Sequence, residues 1–262
     1  MDHTPTTVEG RLERLRELFK DAGSALVTFS GGVDSALVAR VGHEVLGEKA
    51  VALTADSPTF PKEEREQAEV FCRSIGMRHE VVDAHELERD GYRANAGDRC
   101  YFCKAALFRA MESFARSERF PCLAFGEIVD DWSDDRPGAR AAKEFGVVAP
   151  LSAAGFGKDD VRRYAALHGL PVADKPASAC LASRIPVGTE VTPERLARVE
   201  TAEAGLKALG FRVLRVRHHG AHARVEVGAD EAVRAREERS RIEAVLAESG
   251  FESHELAVYG QL

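Results

Sequence analysis

Apolar positions along the first two-thirds of the chain follow two rhythms. Leu12, Leu15, Leu18 and Phe19 recur at three- and four-residue spacing, which predicts an amphipathic opening helix. The short apolar run ALVTF (25–29) predicts a strand, with a helix from about Asp34. AVALTA (50–55) predicts a second strand, Pro61 to about Ser74 a helix, and HEVVD (79–83) a third strand. Cys100 to about Ser117 has a helical pattern, CLAFGE (122–127) a strand pattern and Lys158–His168 a helical one. Strands alternating with helices imply βαβ units, and therefore an α/β fold with a doubly wound parallel sheet.

The rhythm changes after about Thr189. Thr192-Pro193-Glu194 has the form of an N-cap followed by proline at the first helical position. Two strand-like runs, RVLRVRH and ARVEVG, flank the turn-like HGAH, and a helix over 230–248 and a last strand, FESHELAV, complete an α-β-β-α-β unit. The expected division is a domain over 1–188 and a smaller C-terminal α+β domain over 189–262.

Composition narrows the class. With 262 residues, 44% hydrophobic and 30% charged, the chain can bury a substantial core as an ordinary globular protein. Its net charge of −7 argues against a nucleic-acid partner. The first fifteen residues, MDHTPTTVEGRLERL, lack the cationic and apolar regions of a secretory signal, and no apolar run approaches membrane-spanning length. The expectation is a cytoplasmic protein with reduced thiols, in which a CxxC is metal-binding or redox-active rather than a structural disulfide. Cys72 and Cys122 sit in apolar patterns and are expected in the core. Cys100, Cys103 and Cys180 lie in polar, turn-rich stretches and need another explanation.

SGGVDS (30–35) follows the first strand directly and opens a helix. Its glycines let the backbone close on a ligand, and the helix start offers free N–H groups to phosphate. Ser30 and Ser35 add hydroxyls. Asp130, Asp131, Asp134 and Asp135 crowd the segment after the fourth predicted strand, where such sheets bind ligands. Mg²⁺ on a nucleotide would relieve their repulsion. Functional weight falls on Asp130 and Asp131, while Trp132 is expected as a packed anchor. Asp34 and Asp56 complete the nucleotide-binding candidates. Lys175 and Arg184 flank Cys180, and cationic neighbours favour a thiolate.

SGGVDS at a strand–helix junction resembles the pyrophosphate loop of the PP-loop ATP pyrophosphatases. NAGDRCYFCKAALF (95–108), DDWSDDRPG (130–138) and DKPASACLASRIPVGTEVT (174–192) resemble the LarE family within that group. The likeness covers nearly the whole chain. It implies Mg-ATP cleaved to AMP and pyrophosphate, and sulfur placed on a pyridinium dicarboxylate mononucleotide bound for a nickel-pincer cofactor. One departure is that the family often has GTNxDD where this chain has Gly126-Glu127-Ile128-Val129-Asp130-Asp131.

Four schemes compete for the three thiols. A redox disulfide would leave Cys180 idle, and a structural zinc site would need a fourth ligand such as His79 or His85. LarE members with one cysteine imply sacrifice of Cys180, and members with all three imply a 4Fe–4S cluster on Cys100, Cys103 and Cys180. In the C-terminal unit Glu203 falls within the apolar stripe of Leu196, Val199, Leu206 and Leu209. Arg215 and Arg217 share one strand face, as Arg224 and Glu226 do on the next. The resemblance implies that Arg215 and Arg217 hold a substrate phosphate and that Glu203 and Glu226 supply a metal site at a contact between copies of a homo-oligomer. An external sulfide donor would be needed. The rival activities are a tRNA thiolase with a three-cysteine cluster and an amide-forming ligase of the NAD synthetase kind.

Overall fold

The computed structural model describes residues 7–133, 137–173, 175 and 179–260, with only the backbone of 132 and 133. Asp134, Asp135 and the Trp132 side chain lie outside the described residues. In chain order, α1 (Val8–Ala22), β1 (Ala25–Thr28), α2 (Val33–Leu46), β2 (Ala50–Asp56), α3 (Lys62–Ser74) and β3 (Arg78–Asp83) are followed by α4 (Asp90–Ala94) and α5 (Arg99–Glu118). Then come β4 (Cys122–Ala124), α6 (Pro137–Glu144), α7 (Pro150–Ala154) and α8 (Lys158–Leu167). The remaining elements are α9 (Pro193–Ala208), β5 (Leu214–His219), β6 (His222–Val227), α10 (Ala232–Glu237), α11 (Arg239–Glu248) and β7 (Ser253–Val258). The chain divides into two compact units, Met1–Glu86 with Cys100–Ser178, and Leu87–Arg99 with Ala179–Leu262. None of the described helices is long and apolar enough to cross a membrane.

The first unit is built on a parallel sheet in the order β3-β2-β1-β4. Alternation along β1 and β2 shows that helices cover both faces. Ala25, Val27, Ala50 and Ala52 join Leu15, Phe19, Leu37 and Tyr164 in one core cluster. Leu26, Val51 and Leu53 pack instead with Phe108, Met111 and Ala141 in another. This is the doubly wound α/β architecture that the alternating pattern implies. The strand expected over CLAFGE stops at Ala124. Beyond it, the Phe125 N–H donates to the Val148 carbonyl (3.0 Å) and the chain turns toward the site.

In the second unit β5 and β6 form an antiparallel hairpin and β7 adds parallel to β6. One sheet face buries Val216 and Val225 against Ala202 and Leu206 of α9 and Ile242 and Leu246 of α11. The opposite side of the β5–β6 hairpin carries Arg215, Arg217, Arg224 and Glu226. The single helix expected over 230–248 is broken at Glu238, where ψ is 18°. Arg234 Nε (2.8 Å) and Arg241 Nη1 (2.9 Å) both donate to the Glu238 carboxylate, which stabilises the break.

Candidate active site

β1 delivers the chain to the carboxyl edge of the sheet, between β2 and β4. The chain leaves β1 toward β2 and β4 toward Val148 on the opposite side, the topological switch point at which such sheets bind ligands. Gly31 has φ of +68°, a conformation that glycine adopts without steric cost. Gly32 is the N-cap of α2, and a β-carbon on it would meet only Ser30 Oγ, at 3.5 Å. The loop therefore has a cradle lined by backbone, of the kind a phosphate fills. Ser35 Oγ fixes its shape by donating to the Gly32 carbonyl (3.0 Å), lying 3.2 Å from Ser30 Oγ and accepting the Ser30 N–H (3.3 Å). The fourteen-residue α2 adds the partial positive charge of its N-terminus. Gly126, just past β4, presses on this turn: a β-carbon there would lie 2.8 Å from Ser35 N.

Charged side chains close around the loop. The Lys158 ammonium donates to both Asp34 oxygens, at 2.9 and 2.8 Å. The Lys158 backbone N–H donates to Asp130 Oδ2 (2.9 Å), which ties the start of α8 to the turn after β4. Lys175 donates to the Gly31 carbonyl (3.2 Å) and pairs with Glu64 of α3. Asp131 Oδ2 accepts the Ile128 N–H (3.2 Å), and Asp56 pairs with Arg65 (2.6 Å). Asp34, Asp130 and Lys175 are thus brought to the loop, whereas Asp56 engages a cation on α3. Two ammonium groups and a helix N-terminus can neutralise a polyphosphate, and the neighbouring carboxylates suit Mg²⁺.

Cys100 lies in the first turn of α5 and Cys103 opens the second, the former exposed and the latter half-buried. The next residue, Lys104, sets its ammonium 4.7 Å from the centre of the Phe125 ring, beyond β4. Burial pushes the Lys104 pKa down, opposed by Glu127, Cys103, Asp131 and Cys100. The CxxC therefore shares a neighbourhood with the turn that braces the phosphate loop. Cys72 is fully buried, with a thiol pKa pushed up to about 12, and burial also raises that of Cys122. Both are poor thiolates.

In the second unit the half-buried Cys180 precedes a 3-10 turn over Leu181–Arg184. Arg184 is only 5% exposed, and its guanidinium turns to backbone and to Glu203 rather than outward. Nε and Nη2 donate to the two Glu203 oxygens (2.8 and 3.1 Å), and Nη1 to the carbonyls of Ala179 (2.6 Å) and Cys180 (3.2 Å). Arg217 pairs in the same two-pronged way with Glu226 (3.0 and 3.2 Å) and reaches the Ser183 carbonyl (3.3 Å). Arg215 stacks over Tyr259, 4.6 Å from its centre. Arg99 donates to the Ala182 carbonyl (2.8 Å) and to Asn95 Oδ1 (2.6 Å). Glu203 and Glu226, expected as metal ligands, are engaged by guanidinium groups. Among the described residues no group of three or more His, Cys, Asp or Glu side chains is arranged to hold a metal ion. Cys100, Cys103 and Cys180 are free thiols with at least partial access to solvent.

Comparison with known proteins places this geometry. The family model for NAD synthase matches residues 9–99, the segment that carries the phosphate loop. An uncharacterized protein of Synechocystis sp. is 44% identical over 84% of this chain and 82% of its own length. The pyridinium-3,5-bisthiocarboxylic acid mononucleotide synthase of Lactiplantibacillus plantarum is 35% identical over 79% of this chain and 76% of its own. The chain belongs to the LarE family. It is accordingly an ATP-dependent enzyme, a sulfur transferase built on the PP-loop fold. A subunit of the glutamine-hydrolyzing GMP synthase of Methanocaldococcus jannaschii is a weaker match, 26% identical over 63% of this chain and 56% of its own length. Within this LarE-family chain the structure adds residues that the sequence did not single out. Lys158 and Glu64 reach the phosphate loop through partners far away in sequence.

Proposed function

We propose that this LarE-family enzyme converts a carboxylate of a pyridinium dicarboxylate mononucleotide into a thiocarboxylate, on the way to a nickel-pincer nucleotide. The observation that carries the reading is the coexistence of a PP-loop with three accessible thiols, in a chain 35% identical to a synthase named for the bisthiocarboxylic acid. A substrate carboxylate oxygen attacks the α-phosphorus of ATP, pyrophosphate leaves, and an acyl adenylate forms. Sulfide sulfur then bonds to the acyl carbon and AMP departs with the C–O electron pair. Ser30, Gly31, Gly32 and Ser35 bind the leaving pyrophosphate, with Lys158 and Lys175 as counter-charges. Asp34 and Asp130 serve the Mg²⁺. Arg215 and Arg217 hold the phosphate of the mononucleotide, with Glu226 orienting Arg217. Their face is also where copies of a homo-oligomer would meet.

Cys100, Cys103 and Cys180 would hold a 4Fe–4S cluster, which when bound supplies sulfide from an external donor. Anaerobic reconstitution tests this ligand set. About four irons per chain are expected, with fewer in each of Cys100→Ser, Cys103→Ser and Cys180→Ser. Cys72→Ser and Cys122→Ser should retain full iron. Sulfur transfer by iron-free protein, with Cys180 left as dehydroalanine, would instead establish sacrifice of that thiol.

A further inference from the structure

Glu203 lies on the buried side of α9, among Leu196, Val199, Ala202 and Leu206, and is 6% exposed. A carboxylate there is costly unless fully matched, and this one is. It accepts the two bonds from Arg184 and a third from the Val216 N–H (2.9 Å) on β5. A guanidinium is planar, so fixing Nε and Nη2 on a carboxylate also fixes the direction of Nη1. Nη1 meets the Ala179 and Cys180 carbonyls and Ser183 Oγ (3.0 Å). Those two carbonyls belong to the peptide groups on either side of the Cys180 α-carbon. Holding both fixes the backbone angles of Cys180, and with them the direction in which its thiol leaves the chain.

We infer that Glu203 is a positioning residue for the Cys180 thiol, acting through Arg184. This rests on the proposed function, in which the Cys180 thiol belongs to the sulfur-transfer site. Stability alone is a weak explanation for the pair, since buried ion pairs can often be exchanged for apolar side chains without loss. The downstream part of the segment has separate anchors, Arg99 on Ala182 and Arg217 on Ser183. Within the turn the Ser183 N–H also holds the Cys180 carbonyl (2.9 Å), so loss of Glu203 frees the Ala179–Cys180 peptide, and with it the Cys180 φ, while the rest of the turn stays tied.

The test compares Glu203→Gln with the unaltered enzyme in two ways. Pyrophosphate release and sulfur transfer are measured separately in single turnovers with Mg-ATP, the pyridinium dicarboxylate mononucleotide and sulfide. Iodoacetamide labelling of Cys180 is read by peptide mass spectrometry against Cys100 in the same molecule. Pyrophosphate release should persist while sulfur transfer falls about tenfold to a hundredfold, the effect of a misplaced reacting group. The Cys180-to-Cys100 labelling ratio should rise severalfold, and Arg184→Lys, which keeps charge but not the fork, should behave alike. An unchanged ratio overturns the inference, whether sulfur transfer is kept or falls together with pyrophosphate release. If Glu203→Gln does not fold, the paired Arg184→Met/Glu203→Met variant, which buries no unmatched charge, is judged by the same two readings. If the unaltered enzyme releases pyrophosphate but never transfers sulfur to the mononucleotide, the proposed function fails, and the labelling ratio still decides the role of Glu203.

Discussion

Two glycines at the phosphate loop should fail in opposite ways when replaced by alanine. In Gly126→Ala the new methyl would sit 2.8 Å from Ser35 N, 3.0 Å from Ser35 Cα and 3.1 Å from the Asp34 carbonyl carbon. All three are backbone atoms in the first turn of α2 and cannot rotate away. The turn after β4 or the helix start must shift, an overpacking cost of about 1–3 kcal/mol. For a protein of this size that lowers Tm by roughly 2–12 °C. The atoms displaced are those that shape the loop, so ATP turnover should fall too. Gly32→Ala meets only Ser30 Oγ, at 3.5 Å, and φ of −81° suits alanine. Its cost is a weaker N-cap, up to about 1 kcal/mol. The methyl nonetheless occupies the cradle, so Tm should fall by no more than about 4 °C while KM for ATP rises about tenfold or more, the loss of one charge-assisted phosphate contact. Differential scanning calorimetry and a pyrophosphate-release assay read both variants. A Gly126→Ala protein with unchanged Tm, or a Gly32→Ala protein with unchanged KM for ATP, would refute this packing account.

Three further outcomes follow from the geometry. Lys158→Met should cut pyrophosphate release about tenfold to a hundredfold, yet barely change stability, because its pair with Asp34 is partly exposed and worth at most about 1 kcal/mol; kinetics and chemical denaturation check the two halves. Arg217→Ala should raise KM for the mononucleotide about tenfold with KM for ATP unchanged, and equal weakening of both would point to misfolding. Burial, with smaller help from Arg198, holds the His218 pKa below its ordinary 6.5. The unfolded chain takes up that proton first, so stability present above about pH 6.5 is lost as pH falls toward the folded value. Urea unfolding should show this loss between about pH 7 and 5, and His218→Gln should reduce it without abolishing it, because burial also holds His79 and His254 low.

The residues that could be found in the sequence are those whose chemistry depends on near neighbours. SGGVDS announces a phosphate loop because its glycines, hydroxyls and helix start lie within six positions of a strand end. The CxxC is equally local. Lys158 reaches Asp34 across 124 positions and Lys175 reaches Glu64 across 111, and no periodicity encodes such closures. Glu203 was visible as a misfit on an apolar stripe, but its partner was not. Spacing suggested that Arg184 would stand beside the Cys180 thiol, whereas the 3-10 turn folds its guanidinium back on the carbonyls of residues 179 and 180. The break at Glu238 was hidden because Arg234, Glu238 and Arg241 also suit an unbroken helix at three- and four-residue spacing.

The most direct test of the central claim is to incubate the reconstituted enzyme anaerobically with Mg-ATP, sulfide and a pyridinium dicarboxylate mononucleotide, then follow nucleotides and substrate together by mass spectrometry. The account predicts AMP and pyrophosphate in equal amounts, and a mononucleotide in which sulfur has replaced a carboxylate oxygen. ADP and orthophosphate as products, or AMP formed without any sulfur entering the mononucleotide, would contradict it.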